Sequence, residues 1–443
     1  MNLVVTPDRR RTKAEEALES AFRRIDAELP DLEREAAFAR FAAQGLPHRR
    51  VEAYHFTDLR SMLASAPEPV GRPSPEAARD ALGADVFAAV NPARAVFVDG
   101  WFVAALSDLT GLGDGVSVST LAAALTAGET IDGLGARVAP GTAAETDPLV
   151  SLVCAFFSDG LVVRIADGAA LARPLEIRHV ATGTAASVFV RHFVEVGAGA
   201  SATILESHES PEGSVVHAHT LVEASIGVKA AVTWVDRQRE SHDGARFSTL
   251  AVAIGDHAKL DHTVATLGAK IARTQIFATL GAHADLATRG ATLAKGRTHA
   301  DATLVVEHTG PGATSRELYK SAVDDEATSV FQGRITVHKA AQQTDGRMGA
   351  HAVLLSDRAE AKAKPELEIF ADDVACAHGA TVAEIDETLK FYLMSRGIPA
   401  DETERLLIHA FLGEVTDAIG DEAIRTAIEG EIDGWIDARG KTA

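Results

Sequence analysis

A thiol and an imidazole two residues apart, Cys376 and His378, are the pair in this sequence best placed to do chemistry. They close the stretch Lys364-Pro-Glu-Leu-Glu-Ile-Phe-Ala-Asp-Asp-Val-Ala-Cys-Ala-His-Gly-Ala-Thr381, where Leu367, Ile369 and Ala371 alternate with Glu366, Glu368 and Phe370. That alternation predicts a strand, and Asp372-Asp373 a turn. If extended backbone resumes after the turn, Cys376 and His378 share a face. Their Cα atoms are then about 6.5 Å apart, from a rise of about 3.3 Å per residue. A thiolate and an imidazole on one side make half of a tetrahedral site for iron or zinc. The competing reading is a buried, inert thiol beside a capping histidine, and composition alone favours it.

The other donors are weaker. Of 17 histidines, His217 and His219 would face one way on a strand, but no carboxylate or thiol sits at a ligand interval nearby. They read as exposed strand histidines unless another part of the chain supplies a third ligand. The same holds for His283 with Asp285 and for His299 with Asp301. No G-x-S-x-G elbow and no H-E-x-x-H occurs. The nearest approach to a phosphate-binding loop is Gly440-Lys441-Thr442, with Gly434 one residue too early and no helix to follow, so nucleotide binding is not expected of this chain.

Bulk properties narrow the classes further. Lys and Arg number 43 against 63 Asp and Glu, a formal charge of −20 in 443 residues. Such an excess of anions argues against non-specific binding to nucleic acid or acidic membranes. Hydrophobic residues at 46% and charged residues at 24% fit a globular protein. The polar start, Met1 to Glu16, and the lack of a long apolar run predict neither signal peptide nor membrane span. Two cysteines, Cys154 and Cys376, rule out a disulfide framework and point to the cytosol. Two thiols also cannot supply the four thiolates a cluster usually takes.

Three segments must position the candidate pair. Residues 1–92 read as helices and a connector. Leu18, Phe22, Ile25 and Leu29 give a helix over Lys13–Leu29 stopped by Pro30. Asp31 caps a second, with Glu33 and Glu35 in its first turn and Gly45 and Pro47 ending it. Residues 93–380 carry short β-branched runs such as Val188–Val196, Ala202–Ser207, Ala231–Val235, Ala302–Glu307 and Val330–Lys339. In the last, Phe331, Gly333, Ile335 and Val337 oppose Gln332, Arg334, Thr336 and His338, a half-buried strand. Many strands without a long helix leave a sandwich, a propeller or a β-solenoid. The echoes Asp256-His257-Ala258, Ala282-His283-Ala284-Asp285 and Thr298-His299-Ala300-Asp301, with few aromatics (5%), favour the solenoid. Residues 381–443 read as helices again. Thr381 and Glu384 form a capping box before Ile385, Leu389, Tyr392 and Leu393. Leu407, Ala410, Phe411 and Val415 stripe a second helix, and a third runs from about Asp421 to Trp435. Together they would shield the solenoid's open end.

Several stretches carry a resemblance. Val353-Leu354-Leu355-Ser356-Asp357, the Lys364–Thr381 segment and Phe391-Tyr392-Leu393-Met394-Ser395-Arg396-Gly397-Ile398 resemble the C-terminal signature of the SufB/SufD family of iron–sulfur cluster assembly. Arg50-Val51-Glu52-Ala53-Tyr54-His55-Phe56-Thr57-Asp58-Leu59 is similar to its R-x-E-x-W-K-Y-T-x-L motif, with Tyr54, His55 and Phe56 in place of Trp, Lys and Tyr. Val96 to Leu109 and Glu307 to Gly333 fit as well, and the SufD side of the family matches better than the SufB side.

The resemblance implies a mainly β fold, a right-handed parallel β-helix between N-terminal and C-terminal helical segments. It implies a scaffold without catalysis of its own that pairs with a SufB-like paralogue through the β-helix. A SufC-like ABC-type ATPase would dock on the C-terminal helices. It also implies a transient iron–sulfur cluster at the interface with SufB, where the family's histidine falls on His378 and a neighbouring cysteine on Cys376. Whether the isolated chain homodimerises is left open. The rivals are a β-helix polysaccharide lyase or hydrolase, for which 3 Trp and 3 Tyr offer few sugar platforms, and a free-standing metal-binding protein.

Overall fold

Strands of about ten residues follow one another with only tight turns between them from Ala186 onward. Each pairs in parallel with the strand two before it, so the chain winds between two sheets as a parallel β-solenoid of about 8 turns with helices at both ends. The computed structural model describes residues 10–25, 34–129, 131 and 143–439. The expected helix stop at Leu29-Pro30, the Asp31 cap with Glu33, and Gly440-Lys441-Thr442 lie outside them. One sheet has ten strands and finishes in Ala375–Glu384, the other has nine and finishes in Glu360–Ile369. The first turns are closed by antiparallel strands, Trp101–Phe102 on Ala93–Val98 and Val116–Thr120 on Leu161–Ile165. Among the described residues the last turn has no such partner.

The repeat is uneven. Register partners on adjacent rungs are 26 residues apart at His262 and Thr288 but 32 apart at Thr336 and Glu368. That spread is why the histidine echoes keep no fixed period. His257 and His283 both take left-handed backbone (φ 58 and 54) at rung corners, and their rings stack 4.8 Å apart. Thr298-His299 instead opens a strand.

Both faces of most strands are buried, not one. Trp234, Leu260, Ile276, Leu304, Phe331 and Ile335 fill the lumen. The outer face of the nine-stranded sheet offers Phe189, Phe193, Phe247 and Phe277 to the helices Lys13–Phe22, Arg34–Gln44 and Pro148–Phe156. The last of these, buried along its whole length, interrupts a region expected to hold strands alone. Leu205, Val235, Ala265 and Leu293 on the outside of the ten-stranded sheet receive Ile408, Leu412 and Val415 of Ala400–Thr416 and Ile424, Ile428 and Ile432 of Glu422–Arg439. Each such side chain stabilises the contact by about 1.5–3 kcal/mol.

Several local expectations change. The first helix ends at Phe22, with Thr12 and Glu15 forming its capping box. Thr381 and Glu384 belong to the last strand, and Asp386 caps the helix Glu387–Ser395 instead. Because that strand runs on past Gly379, the C-terminal helices start too far along to fold over the end. They turn back along the flank, where an apolar sheet face already waits, and the seam is Ile408, Leu412 and Val415. Ile385 is partly buried against the same flank, whereas no residue of Glu387–Ser395 is buried.

Polar pins fix both flanks. The segment Arg50–Leu59 lies on the nine-stranded sheet, with the buried Tyr54 hydroxyl donating to Asp147 (2.8 Å) beneath the Arg273 guanidinium, 3.9 Å from the ring centroid. Arg273 pairs with the buried Asp301, which also accepts from the Thr57 hydroxyl, and donates to the Ala53 carbonyl (2.8 Å). Asp147 in turn caps Pro148–Phe156. On the other flank Arg237 meets Glu431 (2.5 Å) and Lys320 meets Glu414 (2.6 Å).

Candidate functional site

The turn predicted at Asp372-Asp373 forms, both amides donating to the Gln342 side-chain oxygen (3.3 and 2.9 Å). It sends the chain into Ala375–Glu384, the edge strand of its sheet. There Cys376 stands opposite Gly346 and His378 opposite Met348. Met348 is buried in the lumen, and Cys376 packs against the same lumenal cluster. Cys376 and His378 therefore share the inward face, as the i, i+2 spacing required, at the solenoid's unpaired end. Cys376 is half-buried and His378 exposed. Burial, then the nearby Asp345 and Glu317 carboxylates, raise the thiol above its ordinary range, against a lowering hydrogen bond from the Gly346 backbone. A protonated thiol is a poor metal ligand, so this one needs a metal or cation brought to it before it gives up its proton.

Below the pair runs a column that sequence reasoning missed. In register from the open end inward come His378, Met348, Glu317, Thr288 and His262. Glu317 is buried, and burial, only partly opposed by Ser315 and the backbone, pushes its carboxyl up to about 8. Thr288 bridges Tyr319 (2.9 Å) and His262 (3.0 Å). Gly290 makes this fit: a Cβ there would lie 2.3 Å from the Tyr319 ring.

The remaining sequence candidates do not assemble a centre. His217 and His219 are buried, not exposed, because helices cover that face, and the His219 ring is sandwiched by Phe189 (4.6 Å) and Phe247 (4.7 Å). His299 contacts Thr57 (3.0 Å) in the flank pin, and Asp285 accepts from Thr314 (2.7 Å).

A second polar cluster lies deeper, around His179, Glu206 and His208, whose donor atoms fall within 4.8 Å of one another. Glu206 accepts from the Trp234 indole (2.8 Å), and Arg246 donates to His208 Nε2 (2.9 Å). Burial holds His179 and His208 well below the ordinary histidine range and pushes Glu206 and Asp236 up. The signal was present but faint: Glu206 and His208 share a face with the apolar Ala202 and Ile204, which marks that face as interior.

Residues 179–411 match the family model described as SUF system FeS cluster assembly, SufBD core domain, and residues 17–177 match SufBD protein N-terminal region. The iron-sulfur cluster assembly protein SufD of Escherichia coli (strain K12) is 29% identical over 391 residues, 87% of this chain and 88% of that protein. An iron-sulfur cluster assembly SufBD family protein of Synechocystis is 30% identical over 84% of both chains. SufD of Bacillus subtilis (strain 168) is 31% identical over 31% of this chain and 32% of its own length. Among the described residues no helix is long and apolar enough to cross a membrane. The chain belongs to the SufB/SufD family, on its SufD side, and has a role in iron–sulfur cluster assembly.

Proposed function

We propose that this chain is the non-catalytic scaffold subunit of a cytoplasmic assembly complex. It pairs with a SufB-like paralogue through the end of its β-solenoid and with a SufC-like ABC-type ATPase through its C-terminal helices. Segments 1–92, 93–380 and 381–443 divide that work into flank support, cluster interface and ATPase docking. Cys376 and His378 contribute donors to the nascent cluster and to iron acquisition, and the paralogue completes the ligand set. ATP hydrolysis in the partner moves the C-terminal helices and reorganises the interface.

One observation carries this reading: among the described residues the terminal rung ends in two parallel strands with no further strand on them, while helices cover the apolar outer faces of both sheets behind it. Strands Glu360–Ile369 and Ala375–Glu384 each pair on one side alone. An unpaired strand edge invites another β-edge, and a homologous solenoid supplies one. Around it Phe370 is 64% exposed and Phe391, on Glu387–Ser395, 73% exposed. Apolar groups so displayed support a docking surface.

The test is cluster assembly by the complex reconstituted from the three subunits. His378→Ala is expected to cut cluster formation at least about tenfold while the complex stays intact by size-exclusion chromatography, the scale of losing one metal-site contact. Undiminished assembly would remove His378 from the site.

A further inference from the structure

We propose that the lumen holds a second, self-contained cation site, in which His179, Glu206 and His208, completed by Asp236, bind one divalent transition ion such as zinc or ferrous iron. The site lies on strands Leu175–Val180, Ser201–Glu209 and Ala231–Arg239, and borrows nothing from the terminal rung. His208 Nε2 is 3.3 Å from Glu206 Oε2 and 3.5 Å from Asp236 Oδ1. Those separations are long for hydrogen bonds. They match the edge of a tetrahedron, about 3.3 Å when metal–ligand bonds are about 2.0–2.1 Å.

The neighbouring atoms are unsatisfied in the pattern such an ion would relieve. Asp236 is buried, yet its Oδ1 has no hydrogen-bond partner. Both carboxylate oxygens of the buried Glu240 have none either, nor has Arg246 Nε, which lies 3.6 Å from Glu240 Oε1. Arg246 at present spends a hydrogen bond on His208 Nε2. A small shift of its guanidinium toward Glu240 frees that nitrogen for the ion and satisfies Arg246 Nε and Glu240 together. Three carboxylates, Glu206, Asp236 and Glu240, face Arg246, while Arg237 on the outer face is engaged by Glu431. Burial raises all three carboxyls, and a bound divalent ion would favour their ionised, ligating forms.

The surroundings also suit a metal. His192, its Nδ1 accepting from the Leu161 amide (3.0 Å), stands beside His179 (3.3 Å, Nε2 to Nε2) and packs against its ring. A crevice of about 30 Å³ opens beside His179, His208, Glu240 and Arg246, and Glu206 and Asp236 line a neighbouring one of about 20 Å³. Nitrogen and carboxylate donors without a thiol suit zinc or ferrous iron and not a cluster.

The experiment titrates the metal-stripped full chain with cobalt(II), read by its visible ligand-field bands, with zinc as competitor. The native chain and the Cys376→Ala/His378→Ala double variant are expected to bind one equivalent alike, without a thiolate-to-metal charge-transfer band. Glu206→Gln and His208→Ala are expected to weaken binding at least about 100-fold. No uptake by the native chain, a thiolate band, or uptake unchanged in both lumenal variants would overturn the site. Should the lumenal variants fail to fold, the native spectrum and the double variant decide it: one thiolate-free equivalent in both supports the site, anything else overturns it.

Discussion

The two flanks of the solenoid and its terminal rung are built from the same kind of strand and end in opposite states. On the flanks outward apolar rows meet helices, and charged side chains pin the cover: the Arg273–Asp301 pair of one sheet holds the Ala53 carbonyl and the Thr57 hydroxyl, and Arg237 of the other holds Glu431. At the terminal rung Glu360–Ile369 and Ala375–Glu384 expose a strand edge each, and the inward face carries a thiol, an imidazole and, one rung in from Met348, a buried acid. The difference teaches where the chain keeps its binding capacity. Its own helices saturate the flanks, and the end is left for another molecule.

The comparison breaks most readily at a flank. Asp301→Ala leaves Arg273 buried without its partner, and the expected cost is about 3–5 kcal/mol, measured by urea unfolding. A loss under about 1 kcal/mol would mean that the flank is not held by this pin. The column under the terminal rung gives the next effect. Glu317 titrates near 8 in the folded chain and near its ordinary range of about 4.3 when unfolded. A raised folded value means that the neutral acid favours the folded state. Its contribution is whole below about pH 4 and lost as pH rises toward 8, about 3 kcal/mol by pH 7. Glu317→Gln, which stays neutral, is expected to gain that much on the native chain between pH 4 and pH 7. Parallel pH profiles would place the charge elsewhere.

Changes at the bare end should do the reverse and spare the fold. Val382→Lys, on an inward position of the last strand, and Phe391→Ser are each expected to alter stability by less than about 0.5 kcal/mol. Val382→Lys should abolish co-purification with the SufB-like paralogue, and Phe391→Ser that with the ATPase. Either variant losing stability without losing its partner would make its residue part of the fold.

The strands were legible because period-two alternation survives wherever a β-run has two environments, as in Phe331, Gly333, Ile335 and Val337. The i, i+2 face of Cys376 and His378 followed from the same rule, as did the turn before them. What could not be read is what lies outside each strand. His217 and His219 look like surface residues until helices from elsewhere in the chain cover them, and nothing local encodes that cover. Thr381 and Glu384 carry the letters of a capping box, but pairing with His351 and Leu354 of the preceding rung keeps them extended. The lumenal donors were hidden for a different reason. His179 and His208 become neighbours through a register set by rung length, and that length varies.

The most direct test of the account is alkylation of Cys376 in the isolated chain and in the complex with the SufB-like paralogue, with the buried Cys154 as internal reference. The account predicts that Cys376 reacts in the isolated chain, slowly at neutral pH and faster as pH rises, and that the paralogue shields it. Equal reactivity in both would contradict the claim that the terminal rung is where the two subunits meet.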